Sequence, residues 1–267
     1  MTELVSTTVS AAADDRGAPR VAAALVPTVT ASQMAEVDRL AIGEFGVPLL
    51  AMMEQAGSHL AELSRLTLRG DLRGHSILIA VGPGSNGGGG LAAARHLVNR
   101  GANVRVILAR PALRLSDAAR HQLGTLLAMT VSCCVNGYDL PAAELTAALA
   151  NADLVIDALL GYNVAGAPRG DVAALLDRVN TAGRPIVSLD LPSGLDPDTG
   201  EAPGIVINAT ATLTLALPKR GLLTTTGRSR AGRLYLADLG LPAALYARVG
   251  LAVGVPFATG RMVELAS

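Results

Sequence analysis

Ile77-Leu78-Ile79-Ala80-Val81-Gly82-Pro83-Gly84-Ser85-Asn86-Gly87-Gly88-Gly89-Gly90-Leu91-Ala92-Ala93-Ala94-Arg95-His96-Leu97-Val98 is the stretch that decides the fold. Its first four residues are an apolar run, which reads as a buried strand. Its last eight read as an amphipathic helix. Between them lies a glycine-rich turn. Glycines let backbone N–H groups approach an anion closely, and the helix N-terminus adds its partial positive charge. Strand, glycine turn and helix together therefore predict a nucleotide or phosphate site at residues 85–90.

The same alternation continues on the C-terminal side. Strands are expected at 104–109, 130–135, 154–160 and 186–191, with helices at 116–127, 141–150 and 171–181. Two β-rich runs follow, at 210–217 and 233–237, without an obvious helix between them, and a short helix is expected at 241–249. On the N-terminal side, Thr30-Ala31-Ser32 reads as a helix start, and a second helix is expected at 48–65. Residues 1–26 read as a mobile tail, and residues 27–267 as one domain. The expected class is α/β: a Rossmann-like three-layer fold, with a mostly parallel central sheet and helices on both faces. In that order the first strand of the alternation is central. The second and third strands lie on one side of it, and the fourth and fifth on the other. A ligand crevice then opens beyond the C-terminal ends of the first and fourth strands.

Composition narrows the function classes. Half of the 267 residues are hydrophobic and the formal net charge is zero, so bulk attraction to nucleic acid or to an anionic membrane is not expected. No apolar stretch is long enough to span a bilayer, and the N-terminal residues lack the basic start of a secretory signal. Cys133 and Cys134 are adjacent, a poor arrangement for a disulfide, and read as small buried hydrophobes. A reducing cytoplasm is the expected location. Lys219 is the only lysine in the chain, directly after Pro218. A lysine kept where arginine is otherwise used points to a role that needs a compact ammonium.

Three loops are expected to meet at the crevice. The first is the glycine turn with Asn86. The second is Asp157-Ala158-Leu159-Leu160-Gly161-Tyr162-Asn163-Val164-Ala165-Gly166, which places an acid near the end of a buried strand, where it needs a partner or a cation. The third is Asp190-Leu191-Pro192-Ser193-Gly194-Leu195, again an acid at a strand terminus. Asp190 is a candidate general acid or base, and strand-end aspartates also cap turns. His96 reads as a structural or surface histidine, and Met52 and Met53 as core.

These loops resemble the YjeF N-terminal domain family, the NAD(P)H-hydrate epimerases, over roughly residues 29–240. Met53-Glu54-Gln55-Ala56-Gly57 is similar to the family's Met-Glu-Asn-Ala-Gly motif. The segment 82–91 is similar to its Gly-x-Gly-Asn-Asn-Gly-Gly-Asp-Gly-Leu loop. Asp157-Ala158-Leu159-Leu160-Gly161 is similar to Asp-x-x-Phe-Gly, Asp190-Leu191-Pro192-Ser193-Gly194 to Asp-Ile-Pro-Ser-Gly, and Pro218-Lys219 to a late Pro-Lys pair. The resemblance implies epimerisation at C6 of hydrated NADH and NADPH, feeding a separate dehydratase. It implies potassium held by Asn86, Asp157 and Ser193, and catalysis involving Asp190 and Lys219. It implies substrate contacts at Ser85, Asn86, Gly87, Gly88 and Gly89, at Gly161, Tyr162, Asn163, Val164, Ala165, Gly166 and Ala167, and at Asp190. A homodimer is implied on the same ground. Three positions depart from the pattern: Gly89 replaces the loop acid, Ser85 the first loop asparagine and Leu160 the aromatic. They leave open an alternative, a catalytically impaired module for nucleotide binding, protein interaction or dimerisation.

Overall fold

The computed structural model describes residues 14–164 and 166–266. The parallel frame starts from β2 (Ser76–Val81), with β3 (Asn103–Leu108), β4 (Ser132–Val135), β5 (Leu154–Ala158), β6 (Ile186–Leu189), β7 (Ala211–Leu215) and β8 (Arg233–Ala237). Two short strands, β1 (Arg20–Ala22) and β9 (Met262–Ala266), complete one nine-stranded sheet in the order β1-β9-β8-β7-β6-β5-β2-β3-β4. Every pairing is parallel except β8 with β9. β2 lies between β3 and β5, as the alternation requires.

The strands serve two cores because successive side chains point to opposite faces. In β2, Ile77, Ile79 and Val81 join one core, while Leu78 and Ala80 join the other. The first core takes in α1 (Ala31–Gly43), α2 (Leu49–Thr67), α3 (Ser85–Asn99) and α4 (Asp117–Ala128). The second takes in α5 (Ala142–Ala150) and α6 (Gly170–Thr181). Full burial of each Leu, Ile or Val contributes about 1.5–3 kcal/mol, so these two layers supply the bulk of the stabilisation. Thr30 opens α1 with a reciprocal capping box to Gln33. The C-terminal helices are α7 (Thr225–Ala231) and α8 (Ala243–Arg248).

Four features differ from the sequence reading. The helix after β2 begins at Ser85 and not near Leu91, so the glycine run is its first turns. Glycine disfavours helices by about 1 kcal/mol against alanine, but here the packing leaves no room for a side chain. A Cβ on Gly90 would lie 2.5 Å from the Ala158 Cβ, and one on Gly87 would lie 1.9 Å from the Gly82 carbonyl oxygen. Second, α7 stands between β7 and β8, where no helix was expected. Third, residues 14–26 are not a tail. Val21 is buried in β1, which pairs with β9, and Asp14 accepts from the Tyr235 hydroxyl at 2.8 Å and from Arg233 at 2.8 Å. Residues 1–13 of the expected tail lie outside the described residues. Fourth, Cys133 and Cys134 are free and only half-buried, because β4 is the sheet's edge strand. No helix among the described residues is long and apolar enough to cross a membrane.

Candidate active site

A cleft of about 410 Å³ opens at the C-terminal ends of β2, β5 and β6. Its walls come from α1, α2, the start of α3, and the loops after β5, β6 and β7. Ser85, Asn86, Gly89, Gly161, Tyr162, Asn163, Val164, Asp190 and Lys219 all line it. Gly166 lines an adjacent recess with Gly161 and Val164. Gly87 and Gly88 do not line it: a Cβ on Gly87 would meet the Gly82 carbonyl, and one on Gly88 the thioether of Met53. Ala167 packs against Gly204, away from the cleft, and Ala165 lies outside the described residues. Met52 and Met53 are buried, and they also form part of the cleft wall.

The helix N-terminus takes in fewer residues than the glycine run. Gly84 is the N-cap of α3, and Gly88 N–H already donates to the Gly84 carbonyl at 3.1 Å. In an α-helix the first N–H groups have no intrahelical partner. The amides of Ser85, Asn86 and Gly87 thus stand at the open start of α3, without an intrahelical partner.

Asp190 follows β6 directly and has φ +70, the left-handed region that Asp tolerates better than most residues. Its N–H donates to the Leu213 carbonyl at 2.7 Å, which fixes the residue against β7. The turn aims the carboxylate into the cleft. Asp190 Oδ2 accepts from Tyr162 N–H at 3.2 Å, and Oδ1 accepts from the Lys219 ammonium. Lys219 Nζ also donates to the Leu215 carbonyl at 3.0 Å and lies 5.5 Å from the Tyr162 ring centroid. The segment bearing Lys219 is pinned by Val29 N–H to the Pro218 carbonyl and by Arg220 N–H to the Val29 carbonyl. The lone lysine is therefore a buried partner of Asp190.

Beneath the cleft, Asp157 is fully buried and has no cationic side chain among its hydrogen-bond partners. It accepts from Ser193 Oγ at 2.6 Å, Ser193 N–H at 2.9 Å, Ser188 Oγ at 2.8 Å and Leu159 N–H at 3.3 Å. Burial pushes its carboxyl above the ordinary range, against the downward pull of these bonds. Asn86 and Ser193 meet at Leu160: Asn86 Nδ2 donates to the Leu160 carbonyl at 3.0 Å, and Leu160 N–H donates to Ser193 Oγ at 2.9 Å. The Asp157 carboxylate, the Ser193 hydroxyl and the Leu160 carbonyl are thus linked in one network, which the Asn86 side chain joins through its amide nitrogen.

Other quoted residues have structural work. Glu54 accepts from His96 Nε2 at 2.7 Å and from Arg95, tying α2 to α3. Gly57 lets those helices touch, since a Cβ there would lie 2.6 Å from the Ala92 Cβ. Gly89 faces Leu189, whose Cδ2 would lie 2.9 Å from an added Cβ. One polar residue at the cleft escaped the sequence reading. Asp38, on α1, accepts from the Tyr162 hydroxyl at 2.5 Å. Its position one residue after the buried Val37 marks it as the polar side of that helix, and nothing local in the sequence says that a tyrosine reaches it.

The sequence and the fold have counterparts among known proteins. The family model described as YjeF-related protein N-terminus matches residues 49–221. An NAD(P)H-hydrate epimerase of Dehalogenimonas lykanthroporepellens is 43% identical over 90% of this chain and 93% of its own length. A bifunctional NAD(P)H-hydrate repair enzyme of Moorella thermoacetica is 42% identical over 82% of this chain, which spans only 41% of that longer protein. The crystal structure of yeast ynu0 superposes with a TM-score of 0.77, covering 90% of this chain and all of that one, at 23% identity. With its sheet order, its cleft and these matches, the chain belongs to the YjeF-related protein N-terminus family.

Proposed function

We propose that the chain epimerises the R and S forms of hydrated NADH and NADPH, a repair of damaged nicotinamide nucleotide. The observation that carries the reading is the buried Asp190–Lys219 pair in a cleft beside a free helix N-terminus. Similarity to a named epimerase over almost the whole length of both chains supports it.

Epimerisation at C6 breaks the carbon–oxygen bond as the hydroxyl takes up a proton and leaves as water, and remakes it when water adds to the other face of the nitrogen-stabilised cation and gives up a proton. A proton must be held and returned while this happens. Asp190 is the carboxylate placed at the cleft wall for that task, and Lys219 keeps it oriented and charge-balanced. The amides of Ser85, Asn86 and Gly87 suit the phosphates of a dinucleotide. The apolar wall of Met52, Met53 and Leu189 suits the ring and limits water. The intact Asp190–Lys219 pair favours the active reading over an impaired module.

The oxygens of Asn86, Asp157 and Ser193, with the Leu160 carbonyl, suit a potassium ion. The donors are hard, and Asp157 is a fully buried carboxylate with no cationic side chain among its hydrogen-bond partners in the described residues. Such an ion would supply the positive charge that Asp157 lacks and fix the loop after β5. Replacing potassium by a larger organic cation should then lower activity. The reading extends to a cytoplasmic location, a homodimer and a functional link to a separate dehydratase, in keeping with bifunctional relatives.

The decisive experiment is conversion of the purified R hydrate to the S hydrate, followed by chromatography. Catalysed interconversion is expected. A rate equal to that without protein, in the presence of potassium, would overturn the reading.

A further inference from the structure

Tyr162 makes three contacts at once. Its N–H donates to Asp190 Oδ2 at 3.2 Å, its ring lies 5.5 Å from the Lys219 ammonium, and its hydroxyl donates to Asp38 Oδ2 at 2.5 Å. The first two reach the reacting pair. The third ties the loop after β5 to α1, which belongs to a distant part of the chain. A loop of this kind gains its order from the few contacts that hold its tip. Asp38 is half-buried, and its burial pushes the carboxyl upward while the Tyr162 hydroxyl and the Lys219 charge pull it down and Asp190 pushes it up again. Burial and the Asp38 charge together raise the Tyr162 phenol, so it stays a donor. A hydrogen bond to a charged, partly desolvated acceptor is among the stronger kinds.

We infer that Asp38 is a positioning residue: through the Tyr162 hydroxyl it latches the loop after β5 onto α1, holding the Tyr162 amide on Asp190 and the ring beside Lys219. The kinetic part of this inference rests on the epimerase reading, and the latch itself does not. Asp38 does not reach Asp190 or Lys219 by any hydrogen bond among the described residues, so its geometric hold on them passes through Tyr162, beside the direct interaction of its charge with both. The competing role is direct contact with substrate, since Asp38 also lines the cleft.

Four variants separate the two roles: Asp38→Ala, Asp38→Asn, Tyr162→Phe and the double variant Tyr162→Phe with Asp38→Ala. Amide hydrogen exchange of residues 159–164 in the full chain reads the latch without any reaction. Exchange is expected to rise about tenfold in Asp38→Ala and in Tyr162→Phe, while Asp38→Asn, which still accepts the bond, keeps the protection. In the epimerase assay, kcat is expected to fall about tenfold in both single variants with KM nearly unchanged. The double variant should be no slower than either single one, because both remove one interaction. Recovery of protection and of most turnover in Asp38→Asn would support the latch. Unchanged exchange in Asp38→Ala overturns the inference, and so do losses that multiply in the double variant or fall on KM alone. If exchange responds as expected but the parent protein shows no epimerisation, the function reading falls and the latch stands.

Discussion

Lys219 closes its ammonium onto Asp190 with 1% of the lysine side chain and 4% of the aspartate side chain exposed. A buried ion pair of this kind is weak evidence for net stability, because desolvation of both charges offsets their attraction. Its value lies in geometry. Neither group can leave its position without stranding the other, so the carboxylate faces the cleft in one orientation.

Asp190→Asn keeps the size of the side chain and removes the base. Turnover of the hydrate is expected to fall roughly a hundredfold or more, the usual cost of losing general acid–base catalysis. Steady-state assay with a parallel thermal melt separates this from unfolding. Near-normal turnover would move the proton-transfer role to another group.

Lys219→Arg preserves charge but not shape. The planar guanidinium is larger than the ammonium, and the site is closed by the Leu215 carbonyl and the Tyr162 ring. A loss of about tenfold or more in kcat/KM is expected, with a lowered melting temperature from overpacking. A variant that melts and turns over like the parent would make the lysine incidental.

Gly57→Ala tests the contact of α2 with α3. The added Cβ would meet the Ala92 Cβ at 2.6 Å and the Ala93 nitrogen at 2.7 Å, and backbone cannot step aside as a side chain can. Overpacking of this type costs about 1–3 kcal/mol, readable as a fall in denaturation midpoint. An unchanged midpoint would mean that the two helices separate freely.

His59 gives the pH dependence. Its imidazole is held below its ordinary value, chiefly by burial, although Nε2 lies 3.1 Å from the Asp238 carbonyl oxygen. The unfolded chain therefore binds the proton more readily than the folded one. The sign follows: stability from this group is full above the unfolded value, about 6.5, and is lost as the pH falls below it towards the folded value. Melting curves between pH 7.5 and 5 are expected to show this loss in the parent and less of it in His59→Gln. Equal slopes would remove His59 as the cause.

Much of this was written in local sequence. The alternation of apolar runs and helical periods places β2 to β6 in order, and the acids at strand ends, Asp157 and Asp190, stand where those strands stop. What escaped depends on contacts between distant segments. Gly87 and Gly90 look like a turn because glycine is a poor helix former. Only the approach of Gly82 and Ala158 explains why a helix needs glycine there. β1 and β9 are short, and β1 pairs with β9 while β9 also pairs with β8, Glu264 being bonded to Arg20 and Arg233. Asp38 looks like any exposed helix acid until Tyr162 is seen against it.

The pairing of Val29 with the residues around Lys219 also bears on how the protein is made. A ribosome releases α1 first and Lys219 only after β7 has been synthesised. Until then Asp190 lacks its lysine partner, and Val29, two residues before α1, lacks its bridge partner. The nascent chain can assemble the layers around β2 and β5 early, yet its reaction centre closes in one late long-range step. Contacts of such separation are slow to form and cannot be nucleated locally. Chains cut just before Pro218 are expected to keep much of the helix content while losing the reacting pair altogether.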